Sequence, residues 1–212
     1  MLSCRFRSGH ASRMKDLGAV LRTERAAAVR AHVDTELRDL EAGPALADPR
    51  PFPEVEAFVA YFKRAGRRRP VLVILGPTGS GKSELARGIL LKRIAVILGL
   101  AAFLEVTVEA NAALDMSSFD ETQHAGILLD GVGDAQMLAG HREVLQGRAK
   151  AAKGGQSGTM MYAYPFTLAR RAVVVTMDLA AANLDFFQNH HWLACETNVI
   201  VLRLTGPAWL DA

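Results

Sequence analysis

Val71-Leu72-Val73-Ile74-Leu75-Gly76-Pro77-Thr78-Gly79-Ser80-Gly81-Lys82-Ser83 is the stretch that decides the fold. Its first five residues are apolar and rich in β-branched types, the composition of a strand covered on both faces, as in a parallel sheet. The residues from Gly76 to Ser83 satisfy G-x-x-x-x-G-K-[ST] at every fixed position. A parallel strand needs a crossover to its neighbour, and Ser83-Glu84-Leu85-Ala86-Arg87 opens a helix that can supply it. Gly76, Gly79 and Gly81 let the backbone curl until successive N–H groups converge on an anion, with a helix N-terminus behind them. The pattern therefore predicts a polyphosphate site built from Gly76, Pro77, Thr78, Gly79, Ser80, Gly81, Lys82 and Ser83. Lys82 would reach the β- and γ-phosphates of ATP as a point charge, and the Ser83 hydroxyl would take one position on Mg²⁺. A glycine-rich turn that binds nothing is the plainer alternative.

Composition sets the frame around this stretch. With 212 residues and 50% hydrophobic content, the chain can bury a full core, which suggests one α/β domain of about 140 residues and an N-terminal extension. The longest apolar run, Ile94 to Leu104, is too short to span a bilayer and reads as a helix end followed by a strand. No membrane partner is expected. Net charge is +3 with a pI near 9.1, so its meaning depends on where the cations cluster. Cys4 and Cys195 form neither a metal spacing nor a disulfide framework, which suits a reducing, intracellular compartment, cytoplasmic or nuclear. Arg5, Arg7, Arg13 and Lys15, without acids among them, are compatible with an organelle transit segment, though Ser8-Gly9-His10 interrupts any long amphipathic helix.

Three regions follow: a basic, disordered terminus (1–15), a helical extension (16–69) and the core (70–212). In the extension, Asp16 to Glu41 favours an amphipathic helix closed by Gly43-Pro44. A proline-rich linker follows, then a second helix from Glu54 to Ala65 with Val55, Phe58, Val59 and Phe62 on one stripe. Arg67-Arg68-Arg69 is either a solvated strand entry or a phosphate-contacting patch.

Beyond the loop, the helix should run to Leu98 and stop at Gly99. Phe103 to Glu109 alternates apolar and polar residues, as an edge or near-edge strand does. Ser117 or Ser118 would cap a short helix opening on Asp120 and Glu121. Ala125 to Asp130 is an apolar strand ending in a carboxylate, and Asp130 is placed to hold Mg²⁺ from a strand beside the phosphate loop. Ala135 to Leu145 is predicted helical. Arg148, Lys150 and Lys153 then lead into Gly154-Gly155-Gln156-Ser157-Gly158, a basic loop that is either a solvated tip or a nucleic-acid contact. Val173 to Asp178 is a third buried-type strand, and ligands of open α/β sheets lie beyond the C-terminal strand ends. Thr176 and Asp178 therefore point to the crevice of Lys82 and Asp130. Leu184 to Trp192 is predicted helical and Asn198 to Leu204 is a closing strand. His190 and His191 lack partners at metal spacing.

This order of elements resembles the superfamily 3 helicase domain of replication initiator (Rep) proteins of circular single-stranded DNA viruses and their cellular copies. The resemblance covers residues 71 to 204. It implies an α/β P-loop NTPase core, AAA+-like, with a mostly parallel sheet flanked by helices. Gly76 to Ser83 corresponds to motif A, Ile127 to Asp130 to motif B, and Val173 to Asp178 to motif C, whose polar end senses the γ-phosphate. Lys82 and Asp130 would be catalytic, Ser83 and Asp130 would hold the metal, and Arg148, Lys150 and Lys153 would contact single-stranded DNA or RNA. Activity as a motor implies a homo-oligomer. Two positions depart from the family: Gly131 stands where a second acid is usual, with Asp134 or Glu121 as substitutes, and Asp178 where Asn is usual. Arg170, Arg171 and Arg203 are arginine-finger candidates.

Two other classes stay open. Gly76 to Ala86 also resembles the opening of tRNA prenyltransferases, which allows a kinase or transferase. Loss of the second acid allows a nucleotide-binding module without turnover.

Overall fold

The computed structural model describes residues 50–64, 66, 69–108, 116, 118–147, 167–180 and 182–209. The helix expected over 16–41, the basic terminus, Arg67, Arg68, Glu109, Ser117 and the loop bearing Arg148, Lys150 and Lys153 lie outside the described residues.

Strand β1 (Val71–Gly76) is buried along its whole length. Because side chains alternate across a strand, its odd and even positions serve different faces. Val71, Val73 and Leu75 enter one apolar cluster, and Leu72 and Ile74 enter a second. The same division recurs in the strand Ala172–Asp178, where Val173, Val175 and Met177 face the first cluster and Ala172 and Val174 the second. A sheet apolar on both faces must be sandwiched between helices.

Helix α1 (Pro53–Lys63) begins with proline in its first turn beside Glu54 and Glu56, and ends near Lys63, so its charges oppose the helix dipole. Its buried residues Val55, Phe58, Val59 and Phe62 recur at helical spacing and join the second cluster with Leu72 and Ile74. The helix assigned to an extension is thus packed into the core, because its apolar stripe covers one face of β1. Helix α2 (Lys82–Gly88) lies on the same face. It continues through a π-wound segment, Ile89–Ala95, and a final turn, Val96–Leu98, before Gly99 ends it with φ of 65°. Arg87 in α2 grips Glu105 with two bonds of 2.7 and 3.0 Å, tying the helix to β2 (Ala102–Thr107).

The remaining elements are β3 (His124–Asp130), α3 (Ala135–Gly140), α4 (Arg142–Leu145), β4 (Ala172–Asp178), α5 (Leu184–Asn189) and β5 (Val199–Arg203). The expected helix over 135–145 is two short helices joined at His141, and that over 184–192 stops at Asn189. No helix appears at Ser118: the Asp120 carboxylate accepts from Thr122 N and Oγ1, which holds a turn instead. Among the described residues, no helix is long and apolar enough to cross a membrane.

All five strands among the described residues are parallel, in the order β2-β3-β4-β1-β5. Strand β4 lies between β1 and the strand bearing Asp130, whose carboxylate still reaches the phosphate loop at Ser83. The chain passes from β1 to the far edge at β2, returns through β3, and inserts β4 against β1. The connection after β1 carries α2 over one face, whereas α5, after β4, places Phe187 in the cluster on the other. The two connections diverge, so a crevice opens at the C-terminal ends of β1 and β4.

Candidate functional site

The loop after β1 is shaped by glycines with specific tasks. Gly79 and Gly81 adopt φ of 77° and 81°, the left-handed region that side chains disfavour. A Cβ on Gly81 would also lie 2.6 Å from the Trp209 indole nitrogen. The loop is fastened from beneath: Leu204 N donates to Leu75 O at 2.7 Å, and Ala208 N donates to Ser80 O at 2.9 Å. The 204–209 segment is therefore its floor, a role that no periodicity around Trp209 signals. Thr78, Gly79, Gly81, Lys82 and Ser83 line a cleft of about 340 Å³, together with Asp130, Thr176 and Asp178. Gly76, Pro77 and Ser80 do not line it; the first two turn their carbonyls to Lys82, and the Ser80 hydroxyl is buried.

Two polar networks face this cleft. In the first, the Lys82 ammonium donates to Gly76 O at 3.0 Å, Pro77 O at 2.8 Å and Asp178 Oδ1 at 2.9 Å. Thr78 Oγ1 donates to the same carboxylate at 3.2 Å. The bond from Lys82 is the main cause that holds the Asp178 carboxyl below its usual range, with the lysine's charge and the bond from Thr78 adding to it.

In the second network, Asp130 Oδ1 accepts from Ser83 Oγ at 2.7 Å and from Thr176 Oγ1 at 2.5 Å. The Thr176 hydroxyl in turn accepts from Gly131 N at 3.0 Å. Thr176 is 1% exposed, and its hydroxyl is committed to orienting the acid on the adjacent strand. Gly131 has φ of 71°, so an acidic side chain there would be strained, which is a physical reason for glycine at that position. The substitute acids are elsewhere: Asp134 caps α3 by accepting from Gln136 N, and Glu121 lies in the turn before β3.

Arg170 and Arg171 precede β4, at the opposite end of the sheet from Asp178, and a seven-residue strand separates them from the cleft by roughly 20 Å. Arg203 ends β5 on the loop's side of the sheet and is exposed. His190 and His191 stack on each other. Among the described residues no three His, Cys, Asp or Glu side chains group to hold a metal. Glu84, Val132 and Gly133 also line the cleft, without any motif to announce them.

The donor set fits a hard divalent cation carried by a polyphosphate. Ser83 and Asp130 offer oxygens 2.7 Å apart, and Mg²⁺ usually takes one or two protein oxygens and completes its shell with water and phosphate.

No family model matches the chain, and no curated protein does. Among solved structures, it is similar to NtrX from Brucella abortus in complex with ADP, at 16% identity and a TM-score of 0.38. The match covers 87% of this chain and 44% of that one, so this chain spans less than half of that protein's length. The chain is an α/β protein whose five-stranded, all-parallel sheet carries a glycine-bent loop and two aspartates to one cleft at its C-terminal strand ends.

Proposed function

We propose that the protein binds ATP with Mg²⁺ in this cleft and is a P-loop nucleoside triphosphatase of helicase or AAA+-like type. The observation that carries this is the convergence of Lys82, Ser83 and Asp130 on one cleft behind left-handed Gly79 and Gly81. Loop amides and Lys82 would bind the phosphates, while Ser83 and Asp130 would hold Mg²⁺, which supplies charge neutralisation at the phosphoryl oxygens. Action on single-stranded nucleic acid, and assembly into a homo-oligomer, are supported by the resemblance to replication initiator helicase domains alone.

The test is ATP hydrolysis with and without single-stranded DNA. Hydrolysis stimulated by DNA supports the motor. Hydrolysis only with a small acceptor supports a transferase, and tight binding without turnover supports a binding module. The last has one structural observation in its favour: left-handed Gly131 leaves the position after Asp130 without an acid.

Thr176 gives a finer check. In Thr176→Val, Asp130 loses one donor and Gly131 N its acceptor, so about tenfold more Mg²⁺ should be needed for half-maximal nucleotide binding. Titrating Mg²⁺ at fixed nucleotide measures this, and Thr176→Ser should restore the original midpoint.

A further inference from the structure

Lys82 has three ammonium protons and three acceptors, and the third acceptor is Asp178. Thr78, the other loop side chain with a hydroxyl turned to this corner, bonds the same carboxylate. Asp178 thus holds the place on Lys82 that an outer phosphate would take. Its side chain is 48% exposed and lies on the cleft wall, one strand from Asp130. Among the described residues, the charged side chains lining the cleft are Lys82 against Glu84, Asp130 and Asp178, one positive charge against three negative. Each phosphate added along such a wall meets more repulsion than the one before it, because like charges within roughly 4 to 6 Å disfavour each other.

We propose that Asp178 is a specificity-determining residue that limits the polyphosphate the cleft holds, favouring a nucleoside diphosphate over a triphosphate. This rests on the cleft being a nucleotide site. A diphosphate can be held by the loop amides, with Lys82 still near its carboxylate. A third phosphate extends past the loop toward the strand ends, where β4 presents Asp178 and β3 presents Asp130. Only one of these acids is paired with the hydroxyl that would share a cation with it: Ser83 bonds Asp130. Asp178 is left to confront the added phosphate and to compete with it for Lys82.

Calorimetric titration of ADP and of ATP, each with Mg²⁺, into the full chain and into Asp178→Asn tests this. The substitution keeps the shape of a half-exposed side chain, removes its charge and exchanges one acceptor oxygen for an amide donor. The unaltered protein should bind ADP at least about tenfold more tightly than ATP. Asp178→Asn should tighten ATP by about tenfold and ADP by less than about threefold. Equal gains for both nucleotides, or no gain for ATP, overturn the proposal and leave the nucleotide site standing. Failure of both proteins to bind either nucleotide overturns the proposal together with the site.

Discussion

Lys82→Ala lowers affinity for ATP by about a hundredfold or more. The substitution removes the ammonium that lies at the mouth of the loop, where hydrogen bonds from a charged donor contribute about 1.5 to 3 kcal/mol. It also strips Asp178 of the cation 2.9 Å away, so a carboxylate that was neutralised now faces the incoming phosphates. Both effects act in the same direction, and about 2.8 kcal/mol corresponds to a hundredfold. Folding should survive, because Gly81 still bends the loop and Leu85 N still donates to Gly81 O at 3.0 Å. Titration calorimetry checks the affinity and circular dichroism the fold. Affinity within threefold of the unaltered protein would remove Lys82 from the site.

The largest effect on stability is expected at Leu128, which is fully buried in β3 between register partners Glu105 and Val174. It belongs to the cluster that also contains Leu72, Ile74, Leu90 and Ile94. Leu128→Ala should cost about 3 kcal/mol, the transfer of three methyl-sized groups plus the cavity that a rigid sheet cannot close. That is a large fraction of a typical domain's 5 to 15 kcal/mol, so the urea midpoint should fall well outside error. Val96→Ala, at a residue 74% exposed in the last helical turn, should shift the midpoint by less than about 0.5 kcal/mol. Equal shifts in the two variants would mean that β3 is not at the centre of the core.

The strands were legible because double-sided burial demands unbroken apolar runs, and Val71 to Leu75, Ile127 to Leu129 and Val173 to Val175 are such runs. The end of α2 was legible too, since Gly99 takes the left-handed conformation that stops a helix. Strand order was not. Parallel strands of similar valine, leucine and isoleucine content carry no mark of which neighbour each will take, so nothing in the residues signals the insertion of β4 between β1 and β3. The π-wound segment was equally hidden, because Ile89, Leu90, Leu91 and Ile94 present an ordinary buried stripe in either winding. Within the cleft, residue types pointed to phosphate and metal chemistry. The pairings of Asp130 with Thr176 and of Lys82 with Asp178 needed the third dimension, as did the floor supplied by Trp209.

The strand order also bears on biosynthesis. During translation, residues 71–83 emerge while both flanking partners of their strand, at 172–178 and 199–203, have yet to be made. Lys82 and Asp178 are 96 positions apart, so a long loop must close before the two can meet. A nascent polypeptide ending before Ala172 would carry the whole glycine motif and still have no pocket.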